Sequence, residues 1–194
     1  DQHRAKVLIE PTRRAPGYWF GGGNAVRAAD GTLWLGGRYR NAGDSRLGLE
    51  AGERGLACAL FASRDGGRSF TKVRQWSKAE LSVPSAQVIS IEGTALWQRA
   101  DGAWEFYVSS EKACEYPPGL ESYRKPGCGV WSIDVLSGAA PDDLPTSSLR
   151  CAYREPAEHG IDSLAEALSR ALLRLSQDIA AAIPPGTRSP AAVE

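Results

Sequence analysis

The sequence predicts an all-β chain of about two four-stranded units, followed by one amphipathic helix. Between residues 18 and 137, short runs rich in β-branched and aromatic residues alternate with Gly, Asp and Pro, which is typical of strands separated by turns. From residue 161 the pattern changes, because apolar residues recur there at spacings of three and four, as on one face of a helix.

The two strand-rich units follow one plan of strand, Asp-Gly turn, strand, long loop and strand. The turns lie at Ala29-Asp30-Gly31, Asp65-Gly66-Gly67 and Asp101-Gly102. The strand runs cover residues 25–28, 32–40, 56–63, 69–75, 88–91, 95–98, 104–110 and 129–136. Each block is about 60 residues long, which is near the size of one four-stranded propeller blade with a long loop. We therefore expect a partial β-propeller.

The chain divides into an N-terminal extension (1–17), an incomplete propeller (18–137), a linker (138–160), the helix (161–183) and a disordered tail (184–194). The apolar stripe of the helix consists of Ile161, Leu164, Leu168, Leu172, Leu175, Ile179 and Ile183. Propellers typically need about four to eight blades to close. Two blades and a helix are too few, so the pattern predicts a fragment or a truncated product of a longer propeller.

Charge and hydropathy give no reason to expect nucleic acid or a membrane as a partner. The chain has 23 acidic and 23 basic residues, and its formal net charge is zero. No apolar run approaches the roughly 20 residues that span a bilayer. The sequence begins at Asp1 without an initiator Met or a visible signal peptide, which leaves a secreted, periplasmic or cytoplasmic location open, and the oligomeric state is open as well.

The cysteines do not form a metal-binding pattern. They form no CxxC pair and both histidines lie far from them, so we expect neither a metal nor another cofactor. Cys114 and Cys128 flank a loop rich in Pro and Gly. A disulfide between them would close a loop of about 15 residues and contribute about 3 kcal/mol. Free thiols in a reducing compartment are the alternative.

The segment Ser63–Phe70 reads SRDGGRSF and matches the pattern S-x-D-x-G-x-[ST]-[WF] at every defined position. It predicts a hairpin in which Asp65 accepts hydrogen bonds from turn amides, Gly67 adopts a positive φ and Phe70 packs under the loop. The pattern resembles the Asp-box, or BNR repeat, of sialidases and other Asp-box β-propellers. The resemblance implies a structural role for Ser63, Asp65, Gly67 and Phe70, on the outer hairpin of a blade and away from the active site.

The stretch upstream of the box extends this resemblance. The strand GTLWLGGRYR and the following GDSR resemble the sialidase segment in which a GTL strand leads to an arginine and then an acid. The resemblance implies that Arg40 is an active-site arginine and Asp44 the general acid, with Arg38 and Arg46 as further substrate-orienting groups. The alternative is a solvated charged loop. Where sialidases carry an (F/Y)RIP motif this chain has FGGGNA, so the arginine that would complete their carboxylate-binding triad is missing there.

A second segment resembles five-bladed furanosidase-type glycoside hydrolases. Those families place the general acid in an EGP or ECP strand opening followed by a YYL…S strand, and this chain has IEGTAL followed by WEFYVSS. The resemblance implies that Glu92 is the proton donor; the alternative is a polar residue that opens a strand. Glu111 and Lys112 are weaker candidates after the second strand. Trp19, beside the glycine run at 21–23, is a candidate rim residue that would stack on a sugar ring.

Together these resemblances predict a glycoside hydrolase-like propeller of the sialidase and Asp-box kind, or a fragment of one. The predicted catalytic residues are Asp44 and Glu92, and the predicted substrate-binding residues are Arg38, Arg40, Arg46 and Trp19. The expected partner is a carbohydrate substrate or glycan, without nucleic acid, membrane or cofactor. The alternatives are a non-catalytic Asp-box propeller that binds glycans or proteins, and an inactive truncated product.

Overall fold

The computed structural model describes residues 6–42, 55–116, 118–119 and 130–156, together with the single positions 173 and 177. This part of the chain is all-β: its nine strands form two antiparallel sheets, and one short 3-10 turn covers Thr146–Ser148. The predicted all-β class is therefore confirmed. Within the described residues the two sheets form no closed barrel or propeller.

Sheet 1 contains β1 (Trp19–Gly21), β2 (Ala25–Arg27), β3 (Leu33–Arg40), β4 (Ala57–Ser63) and β5 (Thr71–Ser77). β1 and β2 both pair with β3, one at each end of it, so they act as a single edge strand interrupted at residues 22–24. β4 pairs with the other edge of β3, and β5 pairs with β4. Sheet 1 is therefore a meander with four strand positions, and the three-residue β1 is an element that the sequence does not predict.

Sheet 2 is a four-stranded antiparallel meander in chain order. It contains β6 (Gln87–Gln98), β7 (Trp104–Ala113), β8 (Val130–Gly138) and β9 (Arg150–Pro156). The runs predicted as two strands at 88–91 and 95–98 are one strand, β6, which continues through two β-bulges. β9 lies in the segment predicted as a linker. Its sequence contains no β-branched residue, so its strand form depends on pairing with β8.

The main core lies between the two sheets, where β3 faces β6. Sheet 1 contributes Trp34, Leu60 and Trp76, and sheet 2 contributes Ile91, Leu96, Trp104, Phe106 and Leu136. The rings of Trp76 and Phe106 stack with their centroids 5.3 Å apart. Full burial of each such side chain stabilises the fold by about 1.5–3 kcal/mol, so this shared core holds the two sheets against each other.

Polar contacts also join the interrupted edge strand of sheet 1 to the edge strand of sheet 2. The Thr94 amide donates to the Gly22 carbonyl (2.8 Å). The Asn24 carboxamide donates to the Leu96 carbonyl (3.0 Å) and accepts from the Leu96 amide (2.7 Å). Gly23 permits this approach, because a Cβ at that position would lie only 2.6 Å from the Thr94 hydroxyl of β6 and would also collide with a backbone carbonyl oxygen of β3. The glycine run therefore lets these two edges pack closely.

The other face of sheet 1 carries a smaller apolar cluster that the amino-terminal segment covers. Tyr39, Ala59 and Phe61 are buried there, and Ile9 packs against them. The segment predicted as an N-terminal extension (1–17) thus packs onto sheet 1 in its described part, from residue 6 onward.

Several predicted features lie beyond the described ranges. The disordered tail (184–194) and, apart from two single positions, the helix (161–183) lie outside them and stay predictions. Cys128 lies outside them too, so its disulfide with Cys114 also stays a prediction. In the part of the chain that the structure describes, no helix is long and apolar enough to cross a membrane.

Candidate functional site

The Asp-box forms the turn between β4 and β5 that its sequence predicts. Asp65 Oδ1 accepts hydrogen bonds from the amides of Arg68 (2.9 Å) and Ser69 (3.0 Å), and Asp65 Oδ2 accepts from the Ser69 hydroxyl (2.6 Å). The Ser63 hydroxyl donates to Asp65 Oδ1 (2.7 Å) and accepts from the Gly67 amide (2.9 Å). A single carboxylate therefore organises the whole turn.

These contacts give Asp65 a structural role. The hydroxyl and amide of Ser69, followed by the hydroxyl of Ser63, hold the pKa of Asp65 well below its usual range. Gly67 has a φ of 88°, and Phe70 packs against the apolar cluster on the outer face of sheet 1. The hydrogen bonds of Asp65 and the positive φ of Gly67 match the hairpin that the sequence pattern predicts, while Phe70 packs on the sheet.

Arg38 and Glu92 form a buried ion pair at the end of β3 away from the Asp-box. Arg38 Nη2 lies 3.2 Å from Glu92 Oε2, and the two side chains are only 8% and 11% exposed. Arg38 Nε also donates to the main-chain carbonyl of Glu92 (2.7 Å). The Ser90 hydroxyl donates to the other carboxylate oxygen, Glu92 Oε1 (2.6 Å). Both carboxylate oxygens thus contact a donor, and the side chain is held in one position.

Glu92 reaches Arg38 because it is the extra residue of a β-bulge in β6. The pairing of β6 with β7 passes from Ile91 opposite Ser110 directly to Gly93 opposite Ser109. Bulges redirect side chains and are common beside functional sites. The bulge turns Glu92 towards sheet 1.

Trp19 lies over this ion pair. The guanidinium carbon of Arg38 is 4.8 Å from the centroid of the Trp19 ring, which is a cation–π contact. The pairing of β1 with β3 sets Trp19 opposite Arg40, so the tryptophan is on the same face of sheet 1 as Arg38. Trp19 is 39% exposed, so an aromatic surface open to solvent lies beside the buried charges.

Lys78 is a further cation near Glu92 that the sequence does not single out. Burial lowers the pKa of Lys78, and the negative charge of Glu92 opposes this shift. The Lys78 amide donates to the Leu56 carbonyl (3.3 Å), directly after β5. Lys78 belongs to no recognisable motif, and only the packing of sheet 1 on sheet 2 brings it near Glu92. Ser90 lies two residues before Glu92 on β6, and no motif singles it out.

Among the remaining predicted catalytic and substrate-binding residues, only Arg40 lies within the described ranges, and its hydrogen bond there is not to this cluster. Arg40 donates instead to the carbonyl of Gly17 (3.3 Å), in an exposed contact. Asp44 and Arg46 lie outside the described residues, so their predicted roles stay predictions.

Lys112 belongs to a second buried ion pair, within sheet 2. Its Nζ lies 2.6 Å from Asp134 Oδ2, and the two side chains are 2% and 3% exposed. Ser132 donates to Asp134 Oδ1 (3.2 Å), and Ser110 donates to Oδ2 (3.5 Å). The two charges neutralise each other inside the protein, so the pair has the features of a structural contact.

Residues of the described ranges offer no metal centre, since no group of three or more His, Cys, Asp or Glu side chains is placed to hold an ion. Comparison with known proteins adds no assignment: no protein-family model and no curated protein matches the chain. Function is therefore inferred from the site itself.

We call Trp19, Arg38, Ser90 and Glu92 the Glu92 cluster. It combines a fixed carboxylate, a cation that holds it and an aromatic ring with an exposed surface. A sugar ring can stack its apolar face on a tryptophan while its oxygens meet a nearby carboxylate. The arrangement is therefore chemically suited to a carbohydrate ligand.

Proposed function

We propose that the chain is part of a glycoside hydrolase-like β-propeller in which Glu92 is one carboxylate of the acid/base pair. The observation that carries this proposal is a buried carboxylate, fixed by Arg38 and Ser90, beside an exposed tryptophan ring. Most glycoside hydrolases act through a pair of carboxyl groups on either side of the scissile bond. In this proposal Asp44, which the resemblance implies as an acid, supplies the second group.

The order of the strands supports the propeller part of the proposal. Propeller blades are four-stranded sheets arranged around a central channel. Each sheet here is a four-position meander, and the first strand positions of the two sheets meet through the contacts of Gly22 and Asn24. On this proposal β1, β2 and β6 are inner strands, the Glu92 cluster faces the channel, and the Asp-box lies on an outer hairpin.

Arg38 has a different proposed role from the one that the sialidase resemblance implies. Its guanidinium contacts both the carboxylate and the main-chain carbonyl of Glu92, at 3.2 and 2.7 Å. We infer that Arg38 positions Glu92, rather than binding an anionic substrate. Arg40 and Arg46 remain the proposed substrate-binding arginines, and Trp19 the proposed stacking surface.

The test is hydrolysis of a panel of aryl glycosides that includes neutral pyranosides, neutral furanosides and a sialoside. Glu92→Gln preserves the size of the side chain and removes its acid/base function. Loss of one acid/base group lowers turnover by about 10²–10⁴-fold. The expected result is a loss of this size in kcat for whichever glycoside the native chain hydrolyses, with an unchanged circular dichroism spectrum.

Glu105→Gln is the matched control. Glu105 is also a buried carboxylate, with a side chain 8% exposed, and it contacts Arg99 (3.6 Å), Arg150 (3.4 Å) and the Tyr107 hydroxyl (2.6 Å). It lies opposite Trp97, near the far end of β6 from Glu92. Full activity of Glu105→Gln with loss in Glu92→Gln supports the proposal, whereas full activity of both variants contradicts it.

A non-catalytic glycan-binding propeller is the second candidate, and the exposed ring of Trp19 favours it. If the native chain hydrolyses no glycoside, glycan-array binding decides between a binding module and an inactive product. Binding that Trp19→Ala abolishes and Glu92→Gln preserves would identify a binding module.

A further inference from the structure

A second candidate site lies on the outer face of sheet 1, away from the Glu92 cluster. A cavity of about 260 Å³ opens there, between the amino-terminal segment and the ends of the strands. Its lining includes Thr12, Tyr39, Asn41, Leu56, Ala57 and Lys72. This volume is near the lower end of the range of small-molecule pockets.

Lys72, an exposed side chain, brings a positive charge to this cavity. Its Nζ donates to Gln75 Oε1 (2.8 Å) and lies 4.8 Å from the centroid of the Tyr39 ring and 5.8 Å from that of Phe61. None of the ion pairs within the described ranges involves Lys72. The ammonium is thus oriented by an amide oxygen and two rings, and no described carboxylate neutralises it.

The rest of the lining suits a ligand with one apolar side. Leu56 is 41% exposed at the cavity, although it is a large apolar residue, and Ala57 beside it is buried. Glu10 also lines the cavity, but both of its carboxylate oxygens accept from Arg14, at 2.7 and 3.1 Å. The charge of Glu10 is therefore paired with Arg14, and among the described lining residues Lys72 is the charged group without an ion-pair partner.

We propose that this cavity binds a small organic carboxylate with an apolar body. The carboxylate contacts the Lys72 ammonium at the mouth of the cavity, and the body covers Leu56 and Ala57. Oriented charge and apolar area together favour such a ligand over a neutral molecule of the same shape. This site shares no residue with the Glu92 cluster, so the inference is independent of the proposed function.

The test is a titration of the full chain with 3-phenylpropionate, followed by backbone NMR shifts, with 3-phenylpropanamide as the neutral isostere. We expect the acid to bind with a dissociation constant of about 1 mM, with shift changes at Ala57 and Asn41. The amide should bind at least about tenfold more weakly, a loss of about 1.4 kcal/mol. Lys72→Met keeps most of the length of the side chain, and it should lower the affinity for the acid by a similar factor.

Lys6→Met is the matched control, because Lys6 is an exposed lysine whose Nζ donates to the Arg68 carbonyl (3.0 Å), beside the Asp-box turn. It should leave the affinity for the acid unchanged. Equal affinity for acid and amide would overturn the proposal. So would unchanged binding in Lys72→Met with an unchanged melting temperature, or no saturable shift up to about 10 mM acid.

Discussion

Asn24 offers the sharpest test of how the two sheets are joined. Its carboxamide donates to the main-chain carbonyl of Leu96 (3.0 Å) and accepts from the main-chain amide of Leu96 (2.7 Å), across the boundary between sheet 1 and sheet 2. Asn24→Ala removes both bonds at once. Each bond contributes about 1 kcal/mol net, and a buried group left without a partner costs about 1–3 kcal/mol more. Because the contact is only partly buried, water replaces some of this loss, and we expect a decrease of about 2–4 kcal/mol in the free energy of unfolding.

Urea unfolding followed by circular dichroism measures this loss as a lower midpoint at an unchanged slope. Hydrogen exchange gives a local measurement, because the Leu96 amide should lose its protection while the neighbouring core amides keep theirs. Gln98→Ala is the control: the same chemical group is removed from β6, the strand that Asn24 contacts, where it makes only a 3.5 Å exposed contact with Gly102. We expect Gln98→Ala to change the free energy of unfolding by no more than about 0.5 kcal/mol.

Asn24→Asp separates the two bonds. The carboxylate can still accept from the Leu96 amide, but it cannot donate to the Leu96 carbonyl, and its second oxygen faces that carbonyl. We expect a loss at neutral pH that is partly recovered as the pH falls below about 4, where the acid becomes a donor. If Asn24→Ala and Gln98→Ala have the same midpoint of urea unfolding, the claim that this carboxamide joins the sheets is refuted.

Two further predictions concern charged groups in the described part of the chain. The pKa of Asp65 is depressed, so its carboxylate stabilises the fold above the unfolded-state value of about 4, and this contribution is lost as the pH falls. Asp65→Asn should therefore lower the melting temperature at neutral pH and converge on the native value in acid, and equal melting temperatures at every pH would contradict this. Lys112→Met leaves Asp134 buried without its cation, and urea unfolding should show a loss of about 3–5 kcal/mol. Lys112→Met combined with Asp134→Leu should recover much of that loss, and a single variant as stable as the double would argue against a structural ion pair.

Local turn chemistry accounts for most of the fold that the sequence predicts. Gly31, Gly66 and Gly102, each preceded by Asp, adopt φ values of 86°, 74° and 88°. β3 and β7, which follow the first and third of these turns, accordingly begin at or next to their predicted first residues, and β5, which follows the second, begins two residues after its predicted start. Elements whose stability depends on a partner strand were not predictable in this way. β1 has three residues and ends in glycine, and β9 has no β-branched side chain, so neither has the local pattern of a strand.

The candidate site was predictable as individual residues but not as a cluster. Resemblance to known families singled out Arg38 and Glu92, and the neighbouring glycine run singled out Trp19, yet Arg38 and Glu92 lie 54 positions apart in the chain. Their contact requires sheet 1 to pack on sheet 2 and a bulge to redirect Glu92. Ser90 reaches the same carboxylate from two residues earlier in β6, whereas Lys78 comes near it only because the sheets pack together. No sequence pattern indicates either of them.

The bulges of β6 also bear on how this strand can change in evolution. Val88, Ile91 and Leu96 all face the core, although three and then five positions separate them, because Ile89 and Glu92 are each one residue more than the pairing with β7 needs. Each extra residue reverses which side chains face inward, and the second reversal cancels the first. Deleting one of these residues alone would exchange the inward-facing and outward-facing side chains over half of the strand. Deleting both would leave the same side chains facing the core. Evolution can therefore gain or lose a carboxylate here without rebuilding the strand, provided that the number of residues changes by two.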